Sequence, residues 1–199
     1  MVYLAILISY LVGSLSFAII VSKYYRIEDP RLYGSKNAGA TNVMRSGNKK
    51  AAGLTLLGDL LKGLVVVLVA KHLFNVNGTE SVVALCGIFA VIGHIYPVFF
   101  KFKGGKGVAT AIGVILGFNP LVALFLVITW AIIFMLFRVS SASALVAIIC
   151  APIYAFVLMG NNAYFGAILL VAFFIVYTHK TNIVRIITGK EFKFNKSSK

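Results

Sequence analysis

Three short polar stretches interrupt an otherwise apolar chain, and each carries residue types that could do chemistry. GSKNAGATNVMRSG, residues 34–47, offers hydroxyls and amides at Ser35, Asn37, Thr41 and Asn42 and a guanidinium at Arg45, with three glycines and no carboxylate. A guanidinium can fork onto a phosphate through two parallel hydrogen bonds, so this composition suits an anionic oxygen ligand. KFKGGKGVAT, residues 101–110, sets Gly104, Gly105 and Gly107 among Lys103 and Lys106, just ahead of an apolar run. Glycines let the backbone approach a ligand with unusual torsions, and a helix N-terminus adds partial positive charge, so this pattern also suits a phosphate. It is not a Walker loop, because the GxxxxGK[ST] spacing and an acidic magnesium partner are both missing. HKTNIVRIITGKEF, residues 179–192, places His179 and Asn182 three apart, on one face of a continuing helix. His179 can accept or pass a proton near neutral pH. RVSSAS, residues 138–143, adds Ser140 and Ser143. Taken singly, each stretch has a plainer reading: a tight connection, a solvated loop, an interfacial histidine or a pair of helix caps.

The acidic residues limit the choices. Only Glu28, Asp29, Asp59, Glu80 and Glu191 are present, too scattered for a carboxylate cage around magnesium or calcium, so no metal is expected. Asp59 and Lys62 stand three apart in GDLLKG inside an apolar segment, where ionised groups are costly unless paired, and an internal ion pair is expected there. The competing reading turns Lys62 toward the ligand.

These stretches are positioned by apolar elements. Sixty per cent of the 199 residues are hydrophobic and the mean hydropathy is +0.97, beyond what a soluble domain of this length carries, so the chain reads as an integral membrane protein. The net charge of +14 lies in short blocks between apolar runs, which argues for membrane topology and against nucleic acid. Cys86 and Cys150 lie singly in apolar segments and read as small buried hydrophobes. The opening run has no cationic segment before it and reads as a retained span.

Apolar runs fall at about 1–22, 54–74, 82–100, 108–118, 121–137, 143–159 and 163–178. If all seven cross as helices, 17 of the 19 Lys and Arg fall on one side, which the positive-inside rule makes cytoplasmic. The fourth run is short, but if it failed to cross, Arg138 and the basic tail would lie outside. The expected architecture is therefore all-α: seven transmembrane helices in one bundle, residues 1–199 as a single domain, N-terminus outside and C-terminus cytoplasmic. Asn75–Ser81 would form an outer connection, and Lys193–Lys199 a frayed tail. All three polar stretches then share the cytoplasmic face.

Together they resemble the bacterial acyl-phosphate:glycerol-3-phosphate acyltransferases, the PlsY family. The likeness rests on GSKNAGATNVMR, on GHIYPVFFKFKGGKGVAT at 93–110, on HKTNIVRIITGKE at 179–191 and, more weakly, on GDLLKG and RVSSAS, in the family's order and over almost the whole chain. The resemblance implies a multi-pass enzyme of the bacterial cytoplasmic membrane, active on its cytoplasmic side. It would move a fatty acyl group from acyl phosphate to the 1-hydroxyl of sn-glycerol 3-phosphate among membrane lipid, giving lysophosphatidic acid and phosphate without a cofactor. It casts Ser35, Arg45, His179 and Asn182 as catalytic and Glu191 as structural, beside Asp59 and Lys62. The substrate-binding set is then Asn37, Asn42, Lys103, Gly104, Gly105, Lys106, Gly107 and either Ser140 or Ser143. The proton of the attacking hydroxyl goes to His179 or to a substrate phosphate oxygen. The rival from another class is a transporter or channel for an organic phosphate, which would use broken helices and polar residues at the bilayer midplane.

Overall fold

The computed structural model describes residues 1–74 and 80–194, so the segment 75–79 of the expected outer connection and the last five residues of the expected frayed tail lie outside the described residues. The described residues are helical, with no strand among them. They fall into two compact units, Met1–Pro120 and Leu121–Lys199.

The first unit contains α1 (Val2–Gly13), α2 (Phe17–Tyr24), the single turn α3 (Ala40–Val43), α4 (Lys49–Leu73), α5 (Glu80–Ile95) and α6 (Val108–Phe118). Its helices approach closely because small residues meet backbone. A side chain at Gly13 would strike the Ala90 backbone, and one at Gly93 the Tyr10 carbonyl, which seats α1 on α5. Gly63 lies against the Thr110 carbonyl and Gly113 against the Leu60 carbonyl, which seats α4 on α6. Where lipid is as apolar as the side chains, such van der Waals fit replaces the hydrophobic drive.

The first apolar run is not one helix. It breaks at Ser14–Ser16, where Ser16 is extended, and α1 and α2 diverge by 41°. The Ser14 hydroxyl folds back onto the Tyr10 carbonyl at 2.8 Å, and the Leu15 carbonyl accepts from the Lys62 ammonium at 2.6 Å. A break inside an apolar bundle survives only when its backbone groups find such partners. The third run likewise stops short as an α-helix: α5 ends at Ile95, ahead of Pro97, and a 3₁₀ turn follows at Val98–Phe100.

The second unit contains α7 (Pro120–Phe137, its first residue on the boundary), α8 (Ser140–Met159), α9 (Ala163–Thr178) and α10 (Lys180–Ile187). α7 is apolar all round, with Leu121, Leu124, Met135, Leu136 and Phe137 exposed, which in water would be untenable and in lipid is the natural state. Thr129 and Tyr154 share a hydrogen bond of 2.8 Å and tie it to α8. α9 and α10 meet at 59° with His179 at the corner, so His179 and Asn182 do not lie on one continuing helix as the spacing suggested.

Among the described residues, four helical segments can each cross a membrane by length and composition, the two bent pairs add two more, and α6 remains as a short apolar helix. Cys86 is buried as expected, whereas Cys150 is half-buried.

Candidate active site

Asn42 organises the first polar stretch. Wholly buried, it donates from Nδ2 to the Pro30 carbonyl at 2.6 Å and to the Tyr33 carbonyl at 3.1 Å. Its Oδ1 accepts from the Ser35 backbone N–H at 2.9 Å and from Arg45 Nη1 at 3.1 Å. Both amide hydrogens and the carbonyl oxygen therefore serve the loop, so Asn42 shapes this stretch. Gly34, at φ +57°, lies directly against Asn42 Oδ1, where any side chain would collide. Ser35, Asn37 and Arg45 are half-buried along this loop.

Arg31 was not singled out from sequence, yet it links the first two stretches. Its Nε and Nη2 clasp Asp29 at 3.0 and 2.7 Å, and its Nη1 donates to the Phe100 carbonyl at 3.2 Å. The guanidinium holds the Asp29 carboxyl below the usual carboxylate range, outweighing partial burial.

The glycines of the second stretch are explained differently from the expectation. Only Gly107, the residue capping α6, has a left-handed backbone, at φ +92°. Gly104 and Gly105 have ordinary torsions and are glycine because of what they touch. Their N–H groups donate to the Ile95 and His94 carbonyls, each at 3.2 Å. A Cβ on Gly104 would meet the His94 carbonyl, and one on Gly105 would meet His94 Nε2 and stand 2.6 Å from the Ala38 oxygen. Gly105 is thus where the first and second stretches touch. Lys103 is exposed and Lys106 half-buried on the same loop.

Beneath this loop lies the expected ion pair: Lys62 Nζ stands 2.9 Å from Asp59 Oδ1, both side chains almost fully buried. A third member was missed. His94 Nδ1 lies 3.0 Å from Lys62 Nζ and 3.4 Å from Asp59 Oδ1. The available signal was a histidine within the apolar run ending in GHIYP, since an ionisable group at membrane depth marks a functional or paired position.

In the second unit the Glu191 carboxylate is a hub, accepting from Arg185 Nε at 2.8 Å, Asn182 Nδ2 at 2.9 Å and the Ser141 hydroxyl at 3.1 Å. Burial pushes this carboxyl up, but the three hydrogen bonds outweigh it and leave it below the ordinary range. Glu191 thereby ties the start of α8 to α10. Ser141 is the serine that sequence reasoning overlooked. Ser143 is fully buried and donates to the Val139 carbonyl at 2.9 Å, a helix back-bond, while Ser140 is half-buried. His179 is buried at the α9–α10 corner, its Nδ1 lying 2.7 Å from the Ile175 carbonyl. A carbonyl only accepts, so Nδ1 carries the proton and Nε2 is the basic nitrogen of the neutral ring.

Residues 3–189 match the family model for glycerol-3-phosphate acyltransferase. The chain belongs to the glycerol-3-phosphate acyltransferase family. It is 52% identical over 194 residues to the glycerol-3-phosphate acyltransferase of Neisseria meningitidis serogroup C, covering 97% of each chain. Against that of Chromobacterium violaceum it is 50% identical over 190 residues, covering 94% of this chain and 92% of the relative. Two crystal structures of PlsY, an integral membrane glycerol 3-phosphate acyltransferase, are similar to it. The glycerol 3-phosphate form matches with a TM-score of 0.92 at 38% identity, covering 98% of this chain and 96% of that one. The lysophosphatidic acid form matches with a TM-score of 0.90 at 37% identity, covering 98% and 95%.

Membership makes this an integral membrane acyltransferase of phospholipid synthesis and sets the transporter reading aside. For such an enzyme the charge inventory is informative. Asp29, Asp59 and Glu191 are each matched by a cation, Arg31, Lys62 and Arg185. The polar loops of the first unit therefore present an excess of positive charge, as an anionic ligand requires.

Proposed function

We propose that the chain transfers a fatty acyl group from acyl phosphate to the 1-hydroxyl of sn-glycerol 3-phosphate, forming lysophosphatidic acid and releasing inorganic phosphate. The observation that carries this reading is the loop pair of the first unit, where Arg45 and Ser35 share Asn42 and the glycine loop meets Ala38, on a chain so similar to a structure in its glycerol 3-phosphate form. Arg45, Lys103 and Lys106 hold phosphate against the glycine loop, with Ser35 and Asn37 as polar partners. In the transfer a bond forms between the hydroxyl oxygen and the acyl carbon, the acyl–phosphate C–O bond breaks, and the hydroxyl proton leaves to His179 or to a phosphate oxygen. The donor is already activated and its phosphate leaves readily, so the protein's contribution is orientation and oxyanion stabilisation.

Because Asp29, Asp59 and Glu191 are each matched by a cation, turnover is expected to need no divalent metal. Purified protein given acyl phosphate and glycerol 3-phosphate in excess chelator should release phosphate and form lysophosphatidic acid. Turnover lost to chelator and restored by magnesium would sink the metal-free reaction. Transfer from an acyl thioester but not from acyl phosphate would sink the donor assignment.

The proposed topology is one acyltransferase domain with seven crossings of the bacterial inner membrane, the N-terminus outside and the C-terminus and polar loops cytoplasmic. α6 has eleven residues, about 16 Å of helix against a hydrocarbon core of ~30 Å, so it is the shortest of the proposed crossings. The cationic blocks on both sides of it favour its crossing. Single cysteines replacing the exposed Lys36, Lys103 and Lys190, with Cys86 and Cys150 changed to Ala, should label only from the cytoplasmic side. Labelling at position 103 from outside would overturn this topology.

A further inference from the structure

We infer that the buried Asp59–Lys62–His94 cluster is a strut that holds the glycine loop 104–107 in its ligand-binding shape, which makes Lys62 and His94 positioning residues for the anionic substrate. The inference rests on the reading of that loop as a phosphate binder and adds residues that do not touch the ligand.

The three residues belong to α4 and α5 and are 2, 5 and 5% exposed. The ammonium of Lys62 donates to Leu15 O at 2.6 Å, lies 3.0 Å from His94 Nδ1 and forms an ion pair with Asp59 Oδ1 at 2.9 Å. With Lys62 as an ammonium, which has no lone pair, the 3.0 Å contact makes Nδ1 the acceptor and leaves the imidazole proton on Nε2. Ammonium, carboxylate and neutral imidazole sum to no net charge, the arrangement that a low-dielectric interior tolerates. The cluster thus orients the His94 ring, and the ring lies under Gly105. A carbon added at Gly105 would fall on Nε2 and within 2.9 Å of Cε1. The same residue's carbonyl receives the Gly105 N–H, while the Ile95 carbonyl receives that of Gly104.

The loop therefore rests on His94 through both backbone and ring. Asp59 and Lys62 share α4, and His94, on α5, is the member that reaches the loop. At its other end the cluster holds Leu15 at the α1–α2 break, so two irregular backbone segments share one support.

The test uses the full chain in one nanodisc composition, with His94→Leu and His94→Asn compared with wild type. Leucine removes the acceptor for Lys62. Asparagine places Oδ1 where Nδ1 stood and keeps it. His94→Leu should raise KM for glycerol 3-phosphate about tenfold while kcat falls less than about threefold, and His94→Asn should restore KM to within about threefold of wild type. Amide exchange across 101–108 should quicken about tenfold in the leucine variant, with no matching change in the middle of α4. Equal KM increases in both variants, an unchanged KM in a folded leucine variant, or exchange that quickens uniformly through the first unit would each overturn the strut.

If His94→Leu does not fold, the wild-type protein still decides: substrate-free amides at 104 and 105 should be protected, and exchange there at the rate of an unstructured peptide would overturn the proposal. Exchange needs no substrate. A failure of the acyl-transfer reading would show instead as a wild-type protein that releases no phosphate on addition of glycerol 3-phosphate.

Discussion

His179→Ala should lower turnover by roughly 100-fold or more, within the ~10² to 10⁴ that general base catalysis supplies. The ring's Nδ1 is committed to the Ile175 carbonyl at 2.7 Å, so proton acceptance falls to Nε2, on a residue buried at the α9–α10 corner. The pH profile of kcat/KM separates the two roles open to it. If His179 takes the hydroxyl proton, the acidic limb disappears in His179→Ala and in His179→Gln, because an amide can orient but cannot accept a proton. If it only orients substrate, the limb survives in both variants and His179→Gln retains more activity than His179→Ala. Turnover near wild type with an unchanged profile would remove His179 from the mechanism and leave the proton to a substrate phosphate.

Arg45→Ala should cost about 100-fold or more in kcat/KM. A guanidinium that forks onto a phosphate makes two charge-assisted hydrogen bonds worth ~1.5 to 3 kcal/mol each, and ~1.4 kcal/mol is tenfold. Arg45→Lys keeps the charge and loses the fork. It also loses the contact that Nη1 makes with Asn42 Oδ1, so the loop around Ser35 loosens together with the clamp. The lysine variant should therefore raise KM for glycerol 3-phosphate about tenfold and lower kcat as well. A lysine variant with KM within twofold of wild type would show that charge alone suffices and that the bidentate geometry is irrelevant.

Much of this protein is legible from sequence because much of it is local. Long apolar runs dictate helices in lipid, whatever their neighbours, and the blocks of Lys and Arg between them point to membrane topology. The Asp59–Lys62 pair is written in an i,i+3 spacing on one helix, and the anion-binding character of the three polar stretches is written in their residue types. The rest depended on contacts between residues far apart in the chain. Asn42 reads as one more polar loop residue until Pro30, Tyr33, Ser35 and Arg45 are folded around it. Arg31 acquires a role through the Phe100 carbonyl, 69 residues away. The helix break at Ser14–Ser16 is supported by Lys62, 47 residues beyond Leu15. Gly104 and Gly105 look like torsional necessities in sequence, yet packing on His94, Pro97 and Ala38 explains them, because a glycine required for φ and one required for space are the same letter. Periodicity and composition report what a segment prefers by itself, whereas the support beneath a ligand-binding loop is made by backbone breaks and buried charges that meet only once the helices have packed.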